Sequence, residues 1–328
     1  MSQRIPVIDL SDAFEGVSAA RRKLASRLDR ICREIGFFTI VGHGVPSTTL
    51  DDLRDRANEF FALPPSEKQR AIHPIADTPR GYRPIGIEAL SYGNERQTPA
   101  DLKEYYHFGR ETWPEDAYFT SAEGRSYFIP NLWPEWPPGF GGAARRYYAE
   151  MERIALALMR LAALGLDVDE HFFDDKIDRH ITAMRLNFYP AQAAAPLPGQ
   201  LRAGEHTDYG TFTILNGENV PGGLQVLTRD GDWVDVETDA RSFVVNIGDL
   251  LMRWTNDRWI SNTHRVVNPP ADIASRAQRL SIAFFHHPNY DASIECIAPP
   301  GTAKYPPVKS GEYRDSKYRR TRLIATTT

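Results

Sequence analysis

Apolar positions along the chain change period near its middle, from helical spacing with irregular stretches to the two-residue alternation of strands. Residues 4–10 alternate and predict a first strand. Leu24, Leu28, Ile31 and Ile35 then recur at helical spacing with Arg and Lys opposite, and Gly36 is a natural stop. Phe37 to Val41 predicts a second strand and Gly42-His43-Gly44 a turn. Pro46 suits the start of a second helix, with Leu50, Leu53, Ala57 and Phe60 on its buried stripe, and Leu63-Pro64-Pro65 ends it. Residues 70–140 hold no sustained period and are rich in Pro, Gly, Tyr and Trp, a loop-rich make-up that tends to carry function. Ala143 to Leu166 predicts a long amphipathic helix with Met151, Ile154, Ala155, Leu158 and Leu161 on one face. A shorter helix is expected from Asp167 to Ile177.

From residue 183 strands dominate. They are expected at Ala183–Tyr189, Thr211–Leu215, Gly223–Leu227, Trp233–Val236, Ser242–Ile247, Thr263–Val267 and Leu280–His287. Pro221-Gly-Gly223, Arg229-Asp-Gly-Asp232 and Asn246-Ile-Gly-Asp249 read as the turns between them. Many short strands with turns between them predict a sandwich or jelly-roll barrel, so the class is α+β with a mainly β core. The basic, polar tail from Tyr305 to Thr328 is expected to cap the mouth of a site, with its last few residues unstructured.

Composition narrows the partners. With 328 residues, 41% of them hydrophobic, the chain can bury a large core. A net charge of -4 gives no pull toward nucleic acid or an anionic membrane, so neither is expected as a partner. The first residues lack the apolar core of a signal peptide, and no apolar run is long enough to span a bilayer. The two cysteines, Cys32 and Cys296, are expected to be reduced, which fits a cytoplasmic location. No coiled-coil heptads or internal repeats occur.

Candidate chemistry concentrates in the strand-rich half. His206-Thr207-Asp208 and the distant His264 offer two imidazoles and a carboxylate. Such a set leaves about three of six coordination positions open, which suits non-heme Fe(II); Zn(II) prefers a four-coordinate site. Singly these signals are weak, since His-x-Asp is common and a lone His is usually structural. Period two over Arg279-Leu-Ser-Ile-Ala-Phe-Phe285 adds weight. It puts Arg279, Ser281, Ala283, Phe285 and His287 on one face and Leu280, Ile282, Phe284 and His286 on the other. An Arg and a Ser facing inward need a partner, and an anion is the natural one. His43, flanked by glycines in a tight turn, reads as structural.

Several segments together resemble the Fe(II)/2-oxoglutarate-dependent dioxygenases of the isopenicillin N synthase-like group. They are Ile5-Pro-Val-Ile-Asp-Leu10, Gly36-Phe-Phe-Thr-Ile-Val-Gly-His-Gly-Val-Pro46, Phe60-Phe-Ala-Leu-Pro64, Asp101-Leu-Lys-Glu104, Arg185-Leu-Asn-Phe-Tyr-Pro190 and the His-x-Asp…His…Arg-x-Ser set. The resemblance covers nearly the whole chain. It implies a double-stranded β-helix backed by helices, with an N-terminal α/β region over residues 1–140 and a catalytic region over 141–328, forming one compact unit. It implies Fe(II) held by His206, Asp208 and His264. 2-Oxoglutarate would lie with its far carboxylate on Arg279 and Ser281, helped by Tyr189, and Asn187 near its chelating end. O2 would be the oxidant, succinate and CO2 the co-products, ascorbate a useful additive in vitro, and a monomer the usual state.

For the substrate, a small molecule, Arg185, Phe285 and His287 share the inward face and Tyr82 falls in the region that builds the mouth. Arg185 and His287 are two potential cations and point to a carboxylate-bearing substrate, although Arg185 paired to a local Asp or Glu fits equally well. Tyr82, Tyr105 and His107 equally fit simple packing. Two other functions remain open at this stage. One is an Fe(II)/O2 oxidase of the isopenicillin N synthase type that does not use 2-oxoglutarate, against which Asn187-Phe-Tyr189-Pro weighs. The other is a non-catalytic small-acid-binding barrel, against which an intact set of open metal ligands weighs.

Overall fold

The computed structural model describes residues 4–15, 18–75, 78–94 and 97–321. The expectations for the first three residues and for the end of the tail fall on 1–3 and 322–328, outside the described residues. Two sheets carry the architecture. The strands are β1 (Val7–Asp9), β2 (Phe37–Val41), β3 (Gly81–Arg83), β4 (Glu104–Gly109), β5 (Ala183–Tyr189), β6 (Ala203–His206), β7 (Phe212–Gly217), β8 (Leu224–Leu227), β9 (Trp233–Asp235), β10 (Phe243–Ile247), β11 (His264–Val266) and β12 (Arg279–Phe285). The larger sheet runs β1-β2-β10-β7-β12-β5-β4-β3 and the smaller β6-β11-β8-β9. Only β1 and β2 pair in parallel; the other pairs within these two sheets are antiparallel. Strands from before and after residue 140 are therefore neighbours in one sheet.

Helices cover one face of the large sheet. The helix Phe140–Gly165 packs against Ala19–Glu34 and Ser47–Phe61, and its Tyr148 ring meets Phe284 of β12 edge-on at 5.2 Å. Leu280, Ile282 and Phe284 join this core. The alternate residues Arg279, Ser281 and Ala283 face the opposite way, toward the small sheet, as period two requires. Along the long helix Met151, Ile154, Leu158 and Leu161 are fully buried, each worth roughly 1.5–3 kcal/mol.

The helical periodicity of the first 62 residues reads correctly; Ile35 ends the first helix and Gly36 follows with φ 65°, a conformation glycine adopts without strain. Three expectations are corrected. The loop-rich stretch contains β3 and β4, hidden because β4 is buried on both faces and its Glu104 is satisfied by Lys68 and Tyr82. The turn expected at Asn246–Asp249 is the end of β10 followed by a helix, Asp249–Trp254. Of the helix expected at Asp167–Ile177, only Asp174–Ile177 is helical. Among the elements without a local signal are β6, whose Ala-Gly-Glu-His has little strand character, and a helix in the tail, Ser310–Thr321.

Candidate functional site

Antiparallel pairing of β6 with β11 sets His206 directly opposite His264, with ring centroids 4.3 Å apart. Asp208 follows two residues past His206, in the loop leading to β7. The nearest carboxylate oxygens lie 4.0 Å from His206 Nε2 and 3.8 Å from His264 Nε2. One ligand atom from each of the three residues lies within 4.8 Å of the others, the single such group of three among the described residues.

The surroundings of each donor fix its lone pair. His206 Nδ1 lies 2.7 Å from the Gly204 carbonyl and His264 Nδ1 3.2 Å from that of Asn262. A carbonyl only accepts, so both Nδ1 atoms carry a proton, which leaves Nε2 of each ring, facing the Asp208 carboxylate, as the atom that can ligate a metal. Burial, then the adjacent His264, hold the His206 imidazolium well below its ordinary pKa. Burial alone would raise the Asp208 carboxyl. His264, His206, Asn246 and Thr213 outweigh it and leave the acid lowered. Two neutral imidazoles and a carboxylate are the protonation states that bind a divalent ion.

Two residues that the sequence reading passed over hold this geometry. Asn246 Nδ2 donates to Asp208 Oδ2 at 2.7 Å. Asp249 is buried and accepts from Thr207 Oγ1 (3.1 Å), Ser261 Oγ (2.8 Å) and Lys317 Nζ (2.7 Å), while its own N–H donates to the Asp208 carbonyl (2.7 Å). One carboxylate thus ties together the metal loop, the segment before His264 and the tail helix. The Asn246-Ile-Gly-Asp249 signal marked these residues, but as a turn.

Arg279 on β12 is 1% exposed, and among the described residues its Nε, Nη1 and Nη2 have no hydrogen-bond partner; nor has Ser281 Oγ. Its guanidinium lies 5.5 Å from the Tyr189 ring, and a Cβ on Gly217 would come within 2.7 Å of Nη2, so glycine makes room for it. Register places Tyr189 opposite Arg279 and Asn187 opposite Ser281. The four residues expected to act together therefore do lie together.

Between the two sheets lies a cavity of about 480 Å³, within the range for small-molecule sites. His206, Asp208, His264, Asn187 and Tyr189 line its inner part; Arg279 and Ser281 are not among the lining residues themselves. The tail helix contributes Arg314, Asp315, Tyr318, Arg319 and Thr321 to the lining, as expected of the tail.

The substrate residues fare unevenly. Phe285 and His287 line the cavity. Burial and Arg314 push the His287 imidazolium down to about 3, so it is no cation at neutral pH. Arg185 lines the cavity too, but donates to both oxygens of Glu88 at 3.2 and 3.0 Å, and Lys103 bonds both Glu88 (3.0 Å) and Asp101 (2.9 Å). It is already neutralised, and the reading in which it pairs with a local acid holds. Tyr82 is corrected outright. It sits opposite Tyr106 on the core side of the sheet and donates to Glu104, away from the cavity. His43 is structural, receiving the Val45 N–H at Nδ1 with Nε2 beside the Arg241 carbonyl.

The chain as a whole is similar to known proteins. Residues 181–288 match the 2OG-Fe(II) oxygenase superfamily and residues 5–136 match the model of the N-terminal region of a non-haem dioxygenase in morphine synthesis. The chain is 35% identical to the 2-oxoglutarate-Fe(II) type oxidoreductase hxnY of Emericella nidulans, over 92% of this chain and 86% of that one. It is 30% identical to a homoarginine-6-hydroxylase of Arabidopsis thaliana over 89% of this chain and 79% of the other. Among solved structures, a full-length Neurospora crassa protein crystallised with α-ketoglutarate superposes with a TM-score of 0.82 at 32% identity, covering 96% of this chain and 95% of that one.

Proposed function

The chain belongs to the 2OG-Fe(II) oxygenase superfamily, and from that premise we propose that His206, Asp208 and His264 hold the iron while Arg279 and Ser281 anchor the far carboxylate of 2-oxoglutarate. The activity of the family is oxidation of a small molecule with 2-oxoglutarate and O2 as cosubstrates. When bound, iron and 2-oxoglutarate supply the O2 activation and the oxidative decarboxylation that yields succinate and CO2. In a hydroxylation one oxygen atom enters succinate and the other the product.

The observation that carries the residue assignment is the unpartnered guanidinium of Arg279. A buried cation without an anion is costly, and a second charge binding bidentately removes that cost. Tyr189 packs beside it and Asn187 lies two register pairs along, on the same face. The chain's own contribution is position. Gly204 and Asn262 aim the imidazoles, Asn246 aims the carboxylate, and the two sheets with the tail helix keep bulk water from the oxidised bond. Hydroxylation, desaturation and cyclisation of an unactivated C–H bond all fit this site. The test is O2-dependent succinate formation with Fe(II) and ascorbate across a small-molecule library. Substrate-stimulated succinate is expected, and its absence together with failure to bind Fe(II) would overturn the reading.

A further inference from the structure

A second guanidinium borders the cavity without a carboxylate. Arg80 is 5% exposed, lines the cavity and forms no ion pair among the described residues. Its Nη2 donates to the Tyr127 carbonyl at 3.4 Å, a neutral and long contact, and its Nε has no partner among the described residues. The other cations of the lining are accounted for. Arg185 and Lys103 share Glu88, Arg314 pairs with Asp315 at 2.8 Å, and Arg125 and Arg319 are solvent-exposed.

Arg80 is also held in place. Its guanidinium lies over Gly109 at the end of β4, where a Cβ would come within 2.3 Å of Nη2 and 2.5 Å of Nη1. Gly109 pairs with Ala183, which lines the cavity, and His107, two residues earlier on the same strand face, lines it too. Both ring nitrogens of His107 are buried without a hydrogen-bond partner among the described residues. Burial, then Arg185 and Arg80, keep that imidazole uncharged, and a neutral imidazole always offers one N–H.

We propose that the substrate carries a carboxylate and that Arg80, assisted by the His107 N–H, binds it at the end of the cavity away from Arg279. The inference rests on the oxygenase reading and names the substrate class of the same site. A carboxylate could not take Arg185 instead without stripping Glu88 of its partner, and breaking a buried pair is strongly unfavourable because it leaves a lone buried charge. Arg80 carries no such penalty, because it has no acid partner to give up among the described residues.

The test uses the full-length protein with Fe(II) and 2-oxoglutarate, held anaerobically, and a library of small carboxylic acids each paired with its primary amide. Binding is read by thermal shift and by perturbation of the Fe(II)–2-oxoglutarate absorption band. At least one acid is expected to bind, and to bind at least 10-fold more tightly than its amide. Arg80→Gln should weaken that acid at least 30-fold and the amide less than 3-fold. Gly109→Ala, which displaces the guanidinium without removing it, should weaken the acid selectively as well. Amides that bind as well as their acids, a library with no binding acid, or an Arg80→Gln loss equal for acid and amide would each overturn the proposal. The acid–amide comparison on the unmodified protein stands even where a variant fails to fold. Failure of the absorption band to form at all would strike the oxygenase reading instead.

Discussion

Arg279 and Arg185 lie on adjacent strands, face the same way by parity and are both buried, yet their situations are opposite. Arg185 meets Glu88, which in turn meets Lys103 and through it Asp101, so four charges cancel inside the wall of the cavity. Arg279 forms no ion pair among the described residues; Glu218 attracts it only from beyond bonding distance, and none of its three guanidinium nitrogens has a hydrogen-bond partner among them. Strand parity tells which face a side chain occupies; it does not tell whether the charge there is already spent. A paired Arg is part of the wall, and an unpaired one is free to take a ligand.

Arg279→Leu should produce the largest change, raising the 2-oxoglutarate concentration for half-maximal succinate formation by about 1000-fold, since truncating one partner of a buried charge pair costs roughly 2–5 kcal/mol. Near-normal saturation would place the cosubstrate elsewhere. Arg185→Leu should act on the fold. We expect a loss of roughly 3 kcal/mol in urea unfolding, because Glu88 is left with Lys103 alone. A stable variant with a large rise in 2-oxoglutarate requirement would erase the contrast between the two arginines.

Acid should expose the same pair. Burial would raise the Glu88 carboxyl, but Arg185 and Lys103 outweigh it and bring it to about 2. A folded pKa below the unfolded value contributes stability that is fully present above about 4.5 and is lost as pH falls through about 2. That contribution is on the order of 3 kcal/mol. Asp101, raised by burial, works in the opposite sense, so Glu88→Gln is the informative comparison. Its unfolding free energy should depend less steeply on pH between 4.5 and 2 than that of the unaltered chain, and equal slopes would count against the pair. The smallest effect is expected for Asn246→Ala, which frees one oxygen of Asp208. Iron affinity should fall about 10-fold by competition with a chelator, with little change in 2-oxoglutarate saturation.

Much of this was legible before any coordinates. Helical spacing gave both N-terminal helices and the long helix behind the sheet, because each buries one face against a neighbour. Period two gave most strands of the second half and the inward face of β12. Residue chemistry pointed to the three candidate metal donors, which the fold brings together, and to Arg279, because few residue types can serve such roles. What the chain order could not show is long-range pairing: Glu88 and Arg185 are 97 residues apart, and Arg80 reaches over Gly109. Tyr82 missed the cavity for the same reason, since β3 cannot be assigned a face until β4 is known to lie beside it. Local sequence fixes period and chemical type. Tertiary contact alone decides which buried charge has a partner, because that depends on which distant strand supplies the opposite sign, and here that contact separates the wall of the site from the groups left to bind ligands.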